Sequence, residues 1–320
     1  MGSSRNFPAA VIISKDNGYG LTVAAKILAQ ALAELDIPAT IAQPGDRGWL
    51  DRLLRRRIYD FVFHLERVFP SWIDAGAANI LIPNQERFPR RHTGRLKSID
   101  LVLTKTAHAS EIFSDLGCKT IHVGFMSPDL YDPAITKDWR RFIHVAGGST
   151  LKGTEDILSL WNKHPEWPEL TLVQKKDNLA RSLPPNIRVA PGFLSESQMD
   201  ILMNSCGIHL CPSRSEGWGH YIHEALGCAS VVVTTDAPPM NEFVNTLNGV
   251  VVETNRSERR HLGWNYFVAP SSLEATIEAL LTMSPSKLDE MGRQARRSFL
   301  DNTDAFHERL GLAIAGLCPG

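Results

Sequence analysis

The 320-residue chain is poor in cysteine: Cys118, Cys206, Cys211, Cys228 and Cys318 are all it has, and no two form a C-x-x-C pair. An odd, scattered set argues against a disulfide framework or a structural zinc site and fits a reducing cytoplasm. No apolar run approaches the ~18 residues that cross a bilayer, and Met1-Gly2-Ser3-Ser4-Arg5-Asn6 lacks the apolar core of a secretion signal. Asn6 also stands where a myristoylation site wants Ser or Thr. An excess of either charge is missing too. Lys and Arg total 34 against 35 Asp and Glu, which argues against a nucleic-acid partner. The chain contains no D-x-D triplet, so a metal-bridged diphosphate is not indicated, and no metal-binding residues are expected. It also contains no G-x-G-x-x-G, which leaves an NAD-dependent oxidoreductase with an incomplete fingerprint.

What is present is ordinary globular composition, 43% apolar and 22% charged, over a length that suits two domains. The apolar run 9–14, the loop Gly18-Tyr19-Gly20 and the helix-period segment 21–35 open a nucleotide-type α/β domain. Gly18 and Gly20 serve either a ligand or a tight turn. Further strands are expected at 39–42, 59–65, 79–83, 101–104 and 119–123, with helices at 49–57 and 106–116. His64 closes the third strand, at the carboxyl end where open α/β sheets bind ligands. A His there is equally read as a hydrogen-bonded structural group, and Glu66 and Arg67 share that ambiguity. The loop 84–97 carries Arg87, Arg90, Arg91, Arg95 and Lys97 against Glu86 alone. It reads as a solvated face, or as a surface for an anionic acceptor or acidic membrane. Two prolines and turn residues over 124–133 mark an inter-domain linker ending near Lys137.

The second half repeats strand, glycine loop and helix over 141–162, now with Lys152 in the loop. A compact cation beside loop amides is a sound diphosphate site. Strands follow at 170–174 and 187–190, then a helix capped by Ser195 with Gln198 three residues on. Between the apolar runs 207–211 and 230–235 lies Ser213-Arg214-Ser215-Glu216-Gly217-Trp218-Gly219-His220-Tyr221-Ile222-His223-Glu224-Ala225-Leu226-Gly227. Gly217 and Gly219 would let backbone amides approach a ligand at the helix start. Eight residues at about 100° per step put Glu216 and Glu224 near one face, at the mouth and deeper. Carboxylates beside an anion site would repel phosphate, so their partners are read as hydroxyls, which sugars supply. Either Glu alone also reads as a cap or a solvated helix position. The tail is expected to form helices at 273–283, 287–299 and 307–317.

This constellation resembles the E-x7-E motif of retaining, GT-B-fold glycosyltransferases of the large family 4 group (glycosyltransferase group 1). The likeness is good over 141–243 and loose before it. It implies an α/β fold of two Rossmann-like domains facing a central cleft. Residues 1–137 would form the acceptor side, 138–300 the nucleotide-sugar-binding domain, and 301–320 a helix returning to the first, with Phe306, Leu310 and Ile314 packed there. It implies transfer of a sugar from a nucleoside-diphosphate sugar to an acceptor hydroxyl, metal-independent and of hexosyltransferase type. The nucleotide sugar is a co-substrate, and no cofactor is expected.

By the same resemblance, Glu216 contacts the donor sugar near its reacting carbon and Glu224 holds the ribose hydroxyls. Ser149, Lys152, Arg214, Gly217, Trp218 and Gly219 would line the donor. Phe193 either contacts the base or packs under its helix. Gly18 and Gly20 would face the donor phosphates, with His64 the catalytic candidate on the acceptor side. Relatives usually carry G-R-x-x-x-x-K-G; this chain keeps Lys152-Gly153 without the Arg. Unless Ser149, Thr150 or Arg214 compensates, the protein would bind donor without turnover, a nucleotide-sugar-binding protein of the same fold. A same-fold epimerase fits the two glutamates less well. The acceptor is unspecified, with anionic and membrane-associated ones among the readings, and peripheral membrane association is left open.

Overall fold

The computed structural model describes residues 10–18, 20–175, 183–190 and 194–317. The chain folds as two compact units, one of Met1–Ser127, Arg260–Gly263 and Thr303–Gly320, the other of Pro128–Arg259 and Trp264–Asn302. The first border thus falls ahead of the linker end expected near Lys137, and a short segment at 260–263 joins the first unit.

The first unit holds β1 (Ala10–Ile13), α1 (Gly20–Glu34), β2 (Ala39–Ala42), α2 (Trp49–Leu53), β3 (Tyr59–Glu66), β4 (Gly76–Pro83), β5 (Leu101–Thr104), α3 (Ala107–Asp115) and β6 (Thr120–His122). Its strands form one parallel sheet in the order β2-β1-β3-β4-β5-β6. Strands of such a sheet are covered on both faces, which is why β1 is AVII and wholly buried. The helix expected over 49–57 is only one turn and a half. Arg55 takes φ 46, and the Arg55 and Arg56 amides donate back to the Arg52 and Asp51 carbonyls, closing the helix as a glycine normally would. The α3 cap is as expected, with Thr106 Oγ1 accepting from the Ala109 N–H at 3.0 Å.

The second unit holds β7 (Asp138–Gly147), α4 (Thr154–Lys163), β8 (Leu170–Gln174), β9 (Ile187–Val189), α5 (Glu196–Ser205), β10 (Cys206–Cys211), α6 (His220–Gly227), β11 (Val231–Thr235), β12 (Gly249–Val252), β13 (Thr254–Arg260), β14 (Gly263–Val268) and α7 (Pro270–Thr282). Six strands form a parallel sheet in the order β12-β11-β10-β7-β8-β9. From β7 the chain first builds outward through β8 and β9, then returns to the other side of β7 with β10. The order therefore reverses between β7 and β10, and the carboxyl ends of strands at such a reversal form the ligand crevice of open α/β sheets. Ser195 and Gln198 make the expected reciprocal cap of α5. Phe142, Trp161 and Trp167 form a chain of edge-on aromatic contacts in the core beside β7.

Two tail helices expected separately are one, α8 (Pro285–Ala315). The polar stretch Asp301-Asn302-Thr303-Asp304 contains neither Gly nor Pro, so nothing in it stops a helix. Its last residues belong to the first unit, where the Phe306 ring lies 5.1 Å from Phe125 and Leu310 and Ile314 are buried.

Candidate functional site

The loops after β7 and β10 meet. Gly153, at φ 68, is the residue before α4, and a Cβ there would stand 2.3 Å from the Pro212 carbonyl oxygen. Only glycine lets the first loop close against the second. Lys152 is brought in by that approach. Its Nζ donates to Glu216 Oε1 at 2.6 Å and lies 3.4 Å from the centre of the Tyr221 ring. Both partners of the pair are largely buried, at 16% and 13% side-chain exposure, so solvent screens it little. Ser149 has its hydroxyl turned to its own loop, accepting from the Leu151 N–H at 3.1 Å.

The second loop is fixed from β11. Thr234 Oγ1 donates to the Cys211 carbonyl at 2.8 Å and Thr235 Oγ1 to the Ser213 carbonyl at 2.6 Å. Ser213 Oγ donates to Glu216 Oε1, which leaves the Tyr221 hydroxyl to donate to Ser213 Oγ at 2.6 Å. Gly219, at φ 82, is the residue before α6, as the expected glycine turn requires. Gly217 is buried and has no positive φ. Glu224 lies on α6, half-buried; burial raises its carboxyl to about 7, with the Lys152 charge pulling the other way. Lys152, Glu216 and Glu224 thus belong to one electrostatic cluster, and all three charges bear on the buried Cys211 thiol, which burial first of all pushes above its usual range.

Other expected site residues are placed differently. The Trp218 ring is buried, stacked on His223 at 3.8 Å and edge-on to Phe243 at 4.9 Å, so it packs in the core. Arg214 is turned to the start of α4, with Nη2 3.2 Å from Glu155 and 3.6 Å from Asp156, and its guanidinium 4.8 Å from the Phe267 ring. Of the two readings of His64, the structure shows the hydrogen-bonded structural group and not the open catalytic imidazole on the acceptor side. His64 is fully buried, Nδ1 accepts from the Phe69 N–H at 3.2 Å, and Nε2 faces Asn79 Oδ1 at 3.2 Å, while burial depresses its pKa to about 4. The Gly18 N–H donates to Asp16 Oδ1 at 3.0 Å and to Thr22 Oγ1 at 3.1 Å, and Gly20 begins α1. Phe193 lies outside the described residues.

Two groups were missed from sequence. Ser213 and Tyr221 bracket Glu216 in a relay that only the turn at Gly219 brings together. In the first unit, Arg260 and His261 join the basic loop: Arg90 Nε donates to the His261 carbonyl at 3.0 Å. Burial, and after it Arg95, Arg91 and Arg67, disfavour the His92 imidazolium; at His261, Arg260, Arg67, Arg87 and Arg91 act likewise after burial. His92 Nδ1 and Arg260 Nε are buried without a hydrogen-bond partner among the described residues. Among those residues, His164, Glu274 and Glu278 could also ligate a metal, but Lys163 Nζ already contacts both Glu274 oxygens at 2.7 and 2.8 Å.

Residues 172–297 match the family model described as glycosyl transferases group 1. No curated protein matches the chain. Among solved structures, Anabaena HepE in complex with UDP and glucose is similar with a TM-score of 0.71, at 15% identity, over 97% of this chain and 100% of that one. A glycosyltransferase from Rickettsia africae gives 0.72 at 14% identity, over 98% and 99%. Sucrose-phosphate synthase from Thermosynechococcus elongatus gives 0.72 at 12% identity, over 98% and 99%. The chain thus has the GT-B fold of these structures, and its likeness to the glycosyl transferases group 1 model extends over residues 172–297.

Proposed function

We propose that the chain transfers a sugar from a nucleoside-diphosphate sugar to an acceptor hydroxyl, with retention at the anomeric carbon and without a metal ion. The observation that carries this reading is the Lys152–Glu216 contact at 2.6 Å, made by the two loops that follow the strands flanking the sheet reversal. Breaking the bond from the sugar carbon to the diphosphate puts charge on the departing oxygen, and a fixed ammonium with loop amides stabilises it. The carbon left behind is cation-like, and the Glu216 carboxylate would steady it. Without donor, Lys152 and Glu216 neutralise one another. An arriving diphosphate competes for the ammonium and frees the carboxylate for the sugar. Glu224, held near neutrality by burial, is suited to ribose hydroxyls, because a carboxyl at its midpoint both donates and accepts and repels phosphate little.

The acceptor is read as anionic, from the convergence of Arg67, Arg87, Arg91, Arg95 and Arg260 around His92 and His261. One observation favours a second reading. Arg214 is occupied by Glu155 and Asp156, and with no Arg in the glycine loop the protein would hold donor without turning it over.

Release of nucleoside diphosphate from UDP-, GDP- and ADP-hexoses separates the two. Turnover of at least one donor is expected, falling about 100-fold or more in Glu216→Gln with the fold unchanged. Saturable binding without release supports the second reading, and absence of both binding and release contradicts both.

A further inference from the structure

The loop between β7 and α4 borrows a side chain at Gly148. A Cβ there would stand 3.2 Å from Cδ, 3.4 Å from Cε and 3.7 Å from Nζ of Lys175. The lysine stem therefore lies against the loop backbone, in the place that a side chain of the loop's own residue would fill. Lys175 follows β8 directly, and its N–H donates to the Gly147 carbonyl at 2.9 Å. The β7–β8 ladder shifts register between Val145 and Gly147, and Gly147, at φ 56, ends β7 opposite Gln174. An irregularity of this kind re-aims the backbone at a strand end, and here it sets the loop beside the lysine. Because β8 neighbours β7 in a parallel sheet, Lys175 leaves from the same carboxyl edge as the loop that carries Lys152.

Lys152 stands at the far end of that loop, four residues from Gly148. A nucleoside diphosphate carries more negative charge than one ammonium offsets, and Lys152 has Glu216 for a partner at 2.6 Å. Arg214 is tied to the loop by its backbone, its N–H donating to the Leu151 carbonyl at 2.8 Å, but its guanidinium turns to Glu155 and Asp156. Lys175 is exposed, so its ammonium can meet a ligand at the loop. A lysine at each end of the loop fits two linked phosphoryl groups, the compact charge of an ammonium suiting a phosphate oxygen.

We propose, resting on the reaction assigned above, that Lys175 is a second cation of the diphosphate site, paired across the loop with Lys152. Both ammonium groups then hold the donor, and both offset the charge that builds on the departing diphosphate. Calorimetric titration tests this with whichever of UDP, GDP and ADP binds wild type most tightly, beside the nucleoside of the same base. Lys175→Met keeps an unbranched stem over Gly148 and removes the charge. It should weaken the diphosphate about tenfold, leave nucleoside affinity and melting temperature unchanged, and make diphosphate binding less sensitive to salt than in wild type. Lys175→Arg, which restores a positive charge, should bind the diphosphate within about threefold of wild type. Diphosphate affinity unchanged in Lys175→Met, in a protein whose Lys152→Met variant binds weakly, overturns the role of Lys175 and leaves the reaction assignment standing. An equal loss for nucleoside and diphosphate overturns it as well, since that marks a change in the loop's structure. If wild type binds no nucleoside diphosphate, the reaction assignment falls and the role of Lys175 falls with it.

Discussion

Glu224 is the residue whose environment most shapes the chemistry assigned to the site. Burial raises its carboxyl to about 7, so the folded state disfavours the ionised form. An unfolded Glu titrates near ~4.3. The stability linked to this group is therefore complete below that value and is lost as pH rises through about 7. Relative to wild type, Glu224→Gln is expected to melt at the same temperature near pH 4.5 and several degrees higher at pH 8, a difference on the order of 2 kcal/mol. Equal melting temperatures at both pH values would show that the carboxyl is not held near neutrality. At this scale the sequence was informative where a local turn decides placement, as for Lys152, Glu216 and Gly219. It misled where burial decides. His64 sits at the right end of the right strand, but both ring nitrogens are used inside the fold. Trp218 stands beside Glu216 in sequence but stacks inward on His223.

Among the elements, the pairing of the loops after β7 and β10 depends on Gly153. Its positive φ and the Pro212 carbonyl 2.3 Å from where a Cβ would stand leave no room for a side chain. Gly153→Ala is expected to lower stability by about 1–3 kcal/mol and to weaken donor binding more than stability alone explains, because Lys152 follows the loop. Thermal melts read beside donor titrations check this, and wild-type donor affinity in a folded Gly153→Ala protein would contradict it. Continuous β-branched runs such as Val231 to Thr235 were legible as buried parallel strands. The strands β12, β13 and β14 were not, since Thr254 to Arg260 reads TNRSERR and shows no apolar alternation. The early end of α2 was equally hidden, for Arg55 adopts a left-handed conformation that no glycine announces.

On the scale of the whole molecule, four imidazoles are sealed away from water. Burial first of all depresses His64 and His144 to about 4 and His209 to about 3, and holds His223 well below the ordinary range. A buried neutral His stabilises fully above ~6.5, and that contribution is lost as pH falls from there toward the folded value, on the order of 2 kcal/mol per group at pH 5. The chain is therefore expected to lose stability steeply between pH 6.5 and pH 4. His223, whose nitrogens have no hydrogen-bond partner among the described residues, offers the control. His223→Phe keeps the stack on Trp218 and should raise the melting temperature at pH 5 relative to wild type; no gain there would contradict the assignment of a buried neutral ring. The alternation of strands, loops and helices in both halves was legible in the sequence, whereas the order of the strands in each sheet and the joining of 287–299 and 307–317 into one helix were not.

The claim on which the rest depends is that Lys152 receives a diphosphate and Glu216 does not. Calorimetric titration of UDP into wild type, Lys152→Met and Glu216→Gln tests it most directly. The account predicts saturable binding to wild type, about tenfold or greater weakening in Lys152→Met, and equal or tighter binding in Glu216→Gln, where the ammonium is released from its carboxylate partner. UDP affinity unchanged in a folded Lys152→Met, or weakened most in Glu216→Gln, would contradict it.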